Sequence, residues 1–365
     1  YFTKSARRYG KIPAMTLSHI LGSLRRYGLR GAIDFICRHA EREAFRRKMA
    51  ATLISAPAWR PQPGITVIGC LSYGGSLSKV LRDLVIRLKA CGIPCQAFDT
   101  GCENPIPASE YANLLTPTAE FSLNRYTDIV GMFALPSLPR TDCRLSRIGF
   151  WEFESGLCES NPEFLDSTEV VTTSDFTKMV FRRLLPASTP ISKILYPFQF
   201  KPRLTLSAKT IRTRYGIAPD DFVVFFNFDY RSGFYRKNPE GVLRTFASAL
   251  GDHADAKLVF KTMRSKDYPT YATRLRALAQ TLGIGNRIIF VDTFVPQDEL
   301  IALTDACDVY ISLHRGEGFG LGIAEAMSLG KPVVVTDYSA PTEFCNRENA
   351  ITIPWSRVSV RADQR

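Results

Sequence analysis

Residues 314–332 read HRGEGFGLGIAEAMSLGKP. Glycines fall at every second position, Gly316, Gly318, Gly320 and Gly322, and two glutamates, Glu317 and Glu325, stand eight apart. An apolar run, DVYISLH (308–314), precedes them and a small-residue stretch follows, so the segment reads as strand, tight turn and helix. A dinucleotide fingerprint at such a junction needs GxGxxG. Here Ile323 follows Gly318-x-Gly320 and Glu325 follows Gly320-x-Gly322 where the third glycine belongs, so that fingerprint fails. No GK[ST] occurs anywhere, which excludes a Walker phosphate loop.

Other chemistry fits better. Successive glycines free backbone N–H groups for a closely approaching ligand. A helix opening near Gly322 offers unpaired amides and a positive dipole end, suited to a phosphate. The two carboxylates are acceptors only; they suit hydroxyls, and a sugar nucleotide carries hydroxyls on both its ribose and its hexose. The plainer reading is a strand-to-helix turn in which Glu325 favours the helix's first turn.

Outward from this junction, strand-like runs alternate with helical stretches, the pattern of βαβ units in parallel sheets. Downstream come FVVFFNFD (222–229), a helix in NPEGVLRTFASALG, AKLVFKTM (256–263), a helix over 269–283, NRIIFVDTF, a helix in QDELIALTDAC, then KPVVVTDY (331–338) and NAITIP. Upstream, ITVIGCLS (65–72) enters the glycine turn and helix of SYGGSLSKVLRDLVIRLKACG, followed by PCQAFDT (94–100), DIVGMFA (128–134), RIGFWEF (147–153) and TEVVTTS (168–174). The Pro-spaced PASTPISKILYPFQFKPR (186–203) separates the halves. The expected organisation is a basic helical extension over 1–63, a Rossmann-like domain over 64–185, a linker over 186–207 and a second Rossmann-like domain over 208–365. Two such α/β domains are expected to face a central cleft, with ligands at the carboxyl ends of the strands.

A length of 365 residues suits two domains, and 45% hydrophobic against 22% charged residues is ordinary for a globular core. No uncharged apolar run approaches the roughly 18 residues of a membrane span, and no signal peptide is recognisable. Nine cysteines are scattered without a CxxC pair and only four histidines accompany them. A zinc site or disulfide framework is therefore not expected, and a reducing cytoplasm is. The chain begins on Tyr1, so its native start is expected upstream.

The formal net charge of +12 is uneven: residues 1–48 carry 12 Lys/Arg against 3 Asp/Glu. Within 17–49, Leu17, Ile20, Leu21, Leu24, Ile33, Phe35 and Ile36 recur at helical spacing. One reading is a helix on an anionic membrane surface, to which each Lys/Arg contributes on the order of 1 kcal/mol. The other is a solvated helix packed on its own domain, because Asp34, Glu41 and Glu43 interrupt the cationic face.

The motif Glu317-GFGLGIA-Glu325 with the following AMSLGKPVV resembles the E-x7-E motif of the retaining GT-B glycosyltransferases of glycosyltransferase family 4. FNFDYRSGFYRKNPEGVLRTFASAL (226–250) is similar to that family's lysine-bearing loop and helix, and DACDVYISLHRGEGFGLGIAEAM to its approach to the motif. IGFWEFE with TEVVTTSDFTKMVF (148–181) resembles a W-x-x-E…SxF stretch of its bacterial polysaccharide members, and SYGGSLSKVLRDL its first glycine loop. The resemblance covers roughly 64–355 and is strongest over 222–345.

It implies that Glu317 contacts the transferred sugar near the reacting carbon and that Glu325 binds the donor ribose. Gly318 belongs to the same donor loop, and the amides of Phe319, Gly320 and Leu321 would meet sugar and diphosphate. Lys237, with Arg231 or Arg236 as the family's preceding arginine, would neutralise the departing diphosphate, and Gly74 and Gly75 would close over it. Lys261, at the end of LVFK, is a further phosphate candidate. Some members carry a histidine near the donor sugar. None of His19, His39, His253 and His314 matches that place, which leaves Trp151, Glu152 and Glu154 as acceptor-side candidates. The helix that returns to the first domain after about residue 355 is absent, so the chain is expected to be truncated there.

The activity implied is metal-independent transfer of a hexose, mannose foremost, from a nucleoside diphosphate sugar to a glycan or lipid-linked glycan in cell-surface polysaccharide or lipopolysaccharide synthesis. Cations and amides aimed at the leaving group act on charge that develops in the transition state, and no cofactor is called for. The implied location is the cytoplasm or the inner face of the cytoplasmic membrane. A GT-B epimerase would need acid/base residues that no motif supplies, and a phosphorylase a pyridoxal-phosphate lysine. A non-catalytic scaffold sits poorly with intact Glu317, Glu325 and Lys237. A nucleic-acid module is disfavoured because the charge is confined to the leader.

Deleting residues 1–48 separates the two readings of the leader: in vesicle flotation, the membrane reading expects the truncated protein to be released from anionic vesicles. Equal binding of both forms would favour the packed helix.

Overall fold

The second sheet is built on the most apolar run in the chain. β7 (Phe222–Asp229) pairs on one side with β8 (Ala256–Met263), which pairs with β9 (Ile288–Asp292), and on the other with β10 (Val309–Ser312). β11 (Val333–Thr336) and β12 (Ile351–Ile353) extend that side, giving the order β12-β11-β10-β7-β8-β9 with every ladder parallel. Successive residues of β7 divide between two cores: Val223 and Phe225 pack with Val259 and Tyr310, while Val224, Phe226 and Phe228 pack with Leu258 and Phe260. A strand's side chains alternate between faces, so a sheet covered on both needs an unbroken apolar run. The computed structural model describes residues 60–358 except 103–104, 124, 133–142, 154–163, 165–166, 195 and 197–203. The basic leader and Glu154 therefore lie outside the described residues.

The first sheet has the order β2-β1-β3-β4-β5-β6, formed by β1 (Gln62–Gly69), β2 (Cys95–Asp99), β3 (Tyr126–Met132), β4 (Arg144–Gly149), β5 (Glu169–Thr172) and β6 (Ile191–Lys193). Its first four strands run parallel, and helix α1 (Ser76–Ala90) connects β1 to β2. The connecting helices that follow are α2 (Asp175–Leu184), α3 (Ala208–Arg214), α4 (Phe234–Lys237), α5 (Pro239–Leu250), α6 (Pro269–Thr281), α7 (Gln297–Asp305) and α8 (Leu321–Ser328).

The described chain gathers into two compact units. One runs to Tyr73 and includes Leu77–Ile148 and Asn161–Val170; the other takes Gly74–Ser76, Gly149–Ser160 and Val171 onward. Within the second unit the strand order reverses between β10 and β7. Connections leave these two strands in opposite directions, opening a crevice at their carboxyl ends, and everything described below is arranged around that point. No helix among the described residues is long and apolar enough to cross a membrane.

Two local details differ from the sequence reading. Ile191–Lys193, inside the stretch read as linker, forms β6, and Ile194 N–H donates to Thr172 O at 2.8 Å. Prolines at 186 and 190 leave room for only a three-residue strand at the sheet edge, where proline is tolerated. Trp151–Phe153, read as strand, lie beyond the end of β4 at Gly149.

Phe225 is completely buried in β7. Phe225→Ala is expected to lose about 3–5 kcal/mol of stability, read from denaturant midpoints at unchanged slope. A loss under about 1 kcal/mol would contradict a sheet buried on both faces.

Candidate functional site

The loops after β7 and β10 make the site. Asp229 ends β7 and its carboxylate accepts the Arg231 N–H at 2.9 Å, turning the chain through Tyr230–Ser232. Gly233, at φ +96°, redirects it into α4, and Phe234 anchors that short helix by stacking on Tyr271 with centroids 4.8 Å apart. Asn238, left-handed at φ +55°, closes α4 and caps α5, its side chain accepting the Gly241 N–H at 3.3 Å. Its amide also donates to Leu313 O at 2.9 Å, and Arg315 N–H donates to Arg236 O at 2.8 Å. The two loops are thereby tied together, with Arg236 and Lys237 at the end of α4 facing the glutamate loop.

Glu317 is only 7% exposed. Its Oε2 lies 3.3 Å from Arg236 Nη1 and its Oε1 accepts from Lys237 Nζ. Burial alone would raise its pKa, but Lys237 and Arg236 outweigh burial and bring it down to about 2. Burial draws the Lys237 ammonium below its usual range against the pull of Glu317. The Glu317 backbone is fixed as well: its N–H donates to Ser339 Oγ at 2.8 Å and its carbonyl accepts from Ala340 N–H at 3.3 Å. Ser339 holds φ +62°, a conformation rare for a residue with a side chain.

Arg236 is equally committed. Nε donates to Ser232 O at 2.9 Å, Nη1 to Gly316 O at 2.7 Å, and Nη2 lies 3.5 Å from Glu152 Oε1. Of the two arginines the sequence left open, Arg236 is thus the one paired with Glu317, while Arg231 sits on the exposed turn.

The glycine spacing has specific causes. At Gly316 a Cβ would run into the Glu152 carbonyl oxygen, and at Gly322 it would meet the Tyr310 hydroxyl and come within 2.8 Å of Asn227 Oδ1. Gly320 alone of the four has a positive φ, +95°, and caps α8. The Gly318 carbonyl accepts from the hydroxyls of Ser174, 3.0 Å, and Thr177, 3.1 Å. Most of this backbone freedom therefore accommodates close neighbours, and the first-turn amides of α8 stay in positions that have no intrahelical acceptor.

Glu325 lies half-buried on α8, with Gln297 Nε2 3.5 Å from its Oε1. Tyr310, whose hydroxyl donates to Asn227 Oδ1 at 2.6 Å, is pushed well above its usual pKa by burial and then by both Glu317 and Glu325. The two motif glutamates therefore both act on one buried phenol. Leu321 opens α8, and Phe319 packs its ring between Tyr196 and Phe344 at 5.3 and 5.4 Å. Trp151 and Glu152 belong to the same unit, the Trp151 nitrogen 3.4 Å from where a Gly318 Cβ would stand. Gly74 and Gly75 occupy the turn between β1 and α1.

Lys261 forms a separate cluster. It is 6% exposed at the end of β8 and burial lowers it to about 8 against the pull of Asp229 and Asp292. Sequence reading missed His314 and Ser339. His314 is 1% exposed, its Nε2 3.1 Å from Tyr338 O and its Nδ1 3.2 Å from Ser312 Oγ. The carbonyl can only accept, so Nε2 carries the proton and Nδ1 accepts from Ser312, and burial lowers its pKa. Ser339 carries no local signal, since it acts on a residue 22 positions away.

Residues 208–354 match the protein family described as Glycosyl transferases group 1. An uncharacterized glycosyltransferase of Methanocaldococcus jannaschii is 28% identical over 188 residues, 50% of this chain and 46% of that one. The serotype-specific mannosyltransferase WbdA of Escherichia coli is 25% identical over 156 residues, 42% of this chain and 18% of that one. The matches span less than half the length of either relative. Among solved structures, Anabaena HepE in complex with UDP and glucose superposes with a TM-score of 0.57 at 16% identity, covering 80% of this chain and 86% of that one. The likeness in fold is that of the GT-B class.

The folded Glu317 carboxyl at about 2 lies below its ordinary 4.5, so its contribution to stability is complete above about pH 4.5 and is lost as pH falls toward 2. The gap in melting temperature between the protein and Glu317→Gln should therefore be level just above that window and shrink within it. A gap that ignores pH there would mean Glu317 is not the ionised partner of Arg236 and Lys237.

Proposed function

We propose, from the match of residues 208–354 to the family described as Glycosyl transferases group 1, that this chain is a retaining, metal-independent glycosyltransferase. It moves a hexose from a nucleoside diphosphate sugar to a glycan or lipid-linked glycan of a cell-surface polysaccharide. The observation that carries this reading is the buried Glu317 carboxylate with Lys237 and Arg236, set where the strand order reverses and directly before the N-terminus of α8. Glu317 is the acceptor for a hexose hydroxyl, Lys237 the cation for the diphosphate, the first amides of α8 its hydrogen-bond donors, and Glu325 the acceptor for ribose hydroxyls. UDP and glucose in HepE support the donor class, and WbdA makes mannose the first sugar to try.

In the step itself the bond from the anomeric carbon to the phosphate oxygen breaks while the acceptor hydroxyl oxygen bonds to the same face. The acceptor proton passes to the departing phosphate oxygen, so configuration is retained without a protein nucleophile. Negative charge grows on the diphosphate as the bond breaks. Fixed cations and amides there stabilise the transition state more than the bound donor.

Glu317→Ala should lower transfer by at least about a hundredfold with an unchanged circular dichroism spectrum; undiminished turnover would remove Glu317 from the site. A thermal-shift screen of GDP-, UDP- and dTDP-sugars should single out one donor, since a ligand at a hundred times its Kd adds about 2.7 kcal/mol. Stabilisation by none of them would count against a sugar-nucleotide site.

A further inference from the structure

The geometry points to Glu152 as a positioning residue that holds Arg236 on Glu317 and so reserves Lys237 as the cation for the donor's diphosphate. The inference rests on the donor-site reading above and goes past it, because that reading gives Glu152 no role and leaves open what keeps Arg236 on Glu317 when Lys237 turns to the phosphate. A guanidinium has five N–H groups. Those of Arg236 are directed at Ser232 O, Gly316 O, the Glu317 carboxylate and the Glu152 carboxylate. The residue is 8% exposed, with Glu152 on one side of it and Glu317 on the other. An arginine surrounded in this way orients its neighbours, and it would have to give up buried bonds to reach a ligand.

Lys237 is placed differently. Its ammonium has three donors and pairs, among the described residues, with Glu317, its side chain 19% exposed. It can exchange that one carboxylate for a phosphate oxygen, while Glu317, still held by Arg236, turns to a sugar hydroxyl. The four groups are formally neutral together, two carboxylates against two cations. Removing the charge of Glu152 leaves a surplus cation in a buried setting, where burial already opposes the charged form of Lys237.

Glu152 reaches this position through its backbone. Its carbonyl oxygen fills the space over Gly316 that a side chain would need, a contact that any substitution of the Glu152 side chain preserves. The charge can thus be changed without dislodging the loop.

The groups facing Lys237 are Glu317 from the loop before α8, Arg236 from its own helix, Glu152 from the segment after β4 and the neutral His314 from the end of β10. Glu317 and Glu152 favour its ammonium form; burial and Arg236 oppose it. Affinity for a diphosphate should therefore fall as pH rises and Lys237 loses its proton. Without the Glu152 charge that fall should begin earlier.

The test is calorimetric titration of the full chain with GDP and with UDP between pH 6.5 and 9.5, together with Glu152→Gln, Glu152→Asp and thermal melts of each. The better nucleotide is expected to bind the unsubstituted protein with an alkaline loss of affinity. In Glu152→Gln that loss should set in at lower pH, so that binding is weaker than in the parent at alkaline pH and equal to it at the acid end of the range. Glu152→Asp, which keeps the charge, should move the profile back toward the parent. Superimposable profiles for the parent and Glu152→Gln, or weakening that is equal at every pH, would overturn the positioning role, the latter marking Glu152 as a packing residue. Failure of the parent to bind GDP, UDP or, titrated alongside them, dTDP would instead overturn the donor-site reading, and this inference with it.

Discussion

A carboxylate only 7% exposed needs compensation, and Glu317 sets the terms for the loops around it. Left alone in the interior it would take up a proton, because an unpaired buried charge is far more unfavourable than a neutral acid. It stays ionised because two cations reach it from α4, a helix of four residues. That helix can point both at one target only if the chain turns sharply before and after it, which Gly233 at φ +96° and Asn238 at φ +55° accomplish. Ser339 accepts a strained backbone to bind the Glu317 amide. Local strain of this kind persists where surrounding bonds over-determine it.

The sheet supplies the other half of the geometry. β7 and β10 are neighbours whose onward connections diverge, so the loops carrying Arg236 and Glu317 begin side by side and meet above the strand ends. The alternate glycines let that meeting be close. Gly316 admits the Glu152 carbonyl and Gly322 admits Tyr310 and Asn227, while Gly320 makes the turn into α8. Two close approaches and one left-handed turn require glycine here, so the even spacing has a different cause at each position.

Much of this was legible in the sequence, for a physical reason. A parallel sheet covered on both faces demands apolar runs such as FVVFFNFD, and these survive in any reading of hydrophobicity. Glu317 and Glu325 were legible because glycine density beside carboxylates is rare in a plain turn. Which of Arg231 and Arg236 pairs with Glu317 was not, since it depends on the dihedral angles of Gly233 and Asn238. Ile191–Lys193 is too short to show a period. The direction of the Glu152 carboxylate, the anchoring of Glu317 by Ser339 and the bonds of His314 all join positions far apart in sequence, where no local pattern reports them.

His314 bears on the chemistry by what it is unable to do. It is the histidine nearest to Glu317 in sequence, and Glu317 acts on its titration, so it is the natural candidate for a proton carrier. Yet Nε2–H is spent on the Tyr338 carbonyl and Nδ1 on the Ser312 hydroxyl, at 1% exposure. Burial favours the neutral ring, and both nitrogens are engaged within the protein. Glu317, held ionised by two cations, is equally poor as a base, because a group with a pKa near 2 gains little by taking a proton at neutral pH. A proton lost by an attacking hydroxyl therefore finds no ready acceptor in either residue. Under the proposed same-face transfer, the departing phosphate oxygen, growing more basic as its bond to carbon breaks, takes that proton.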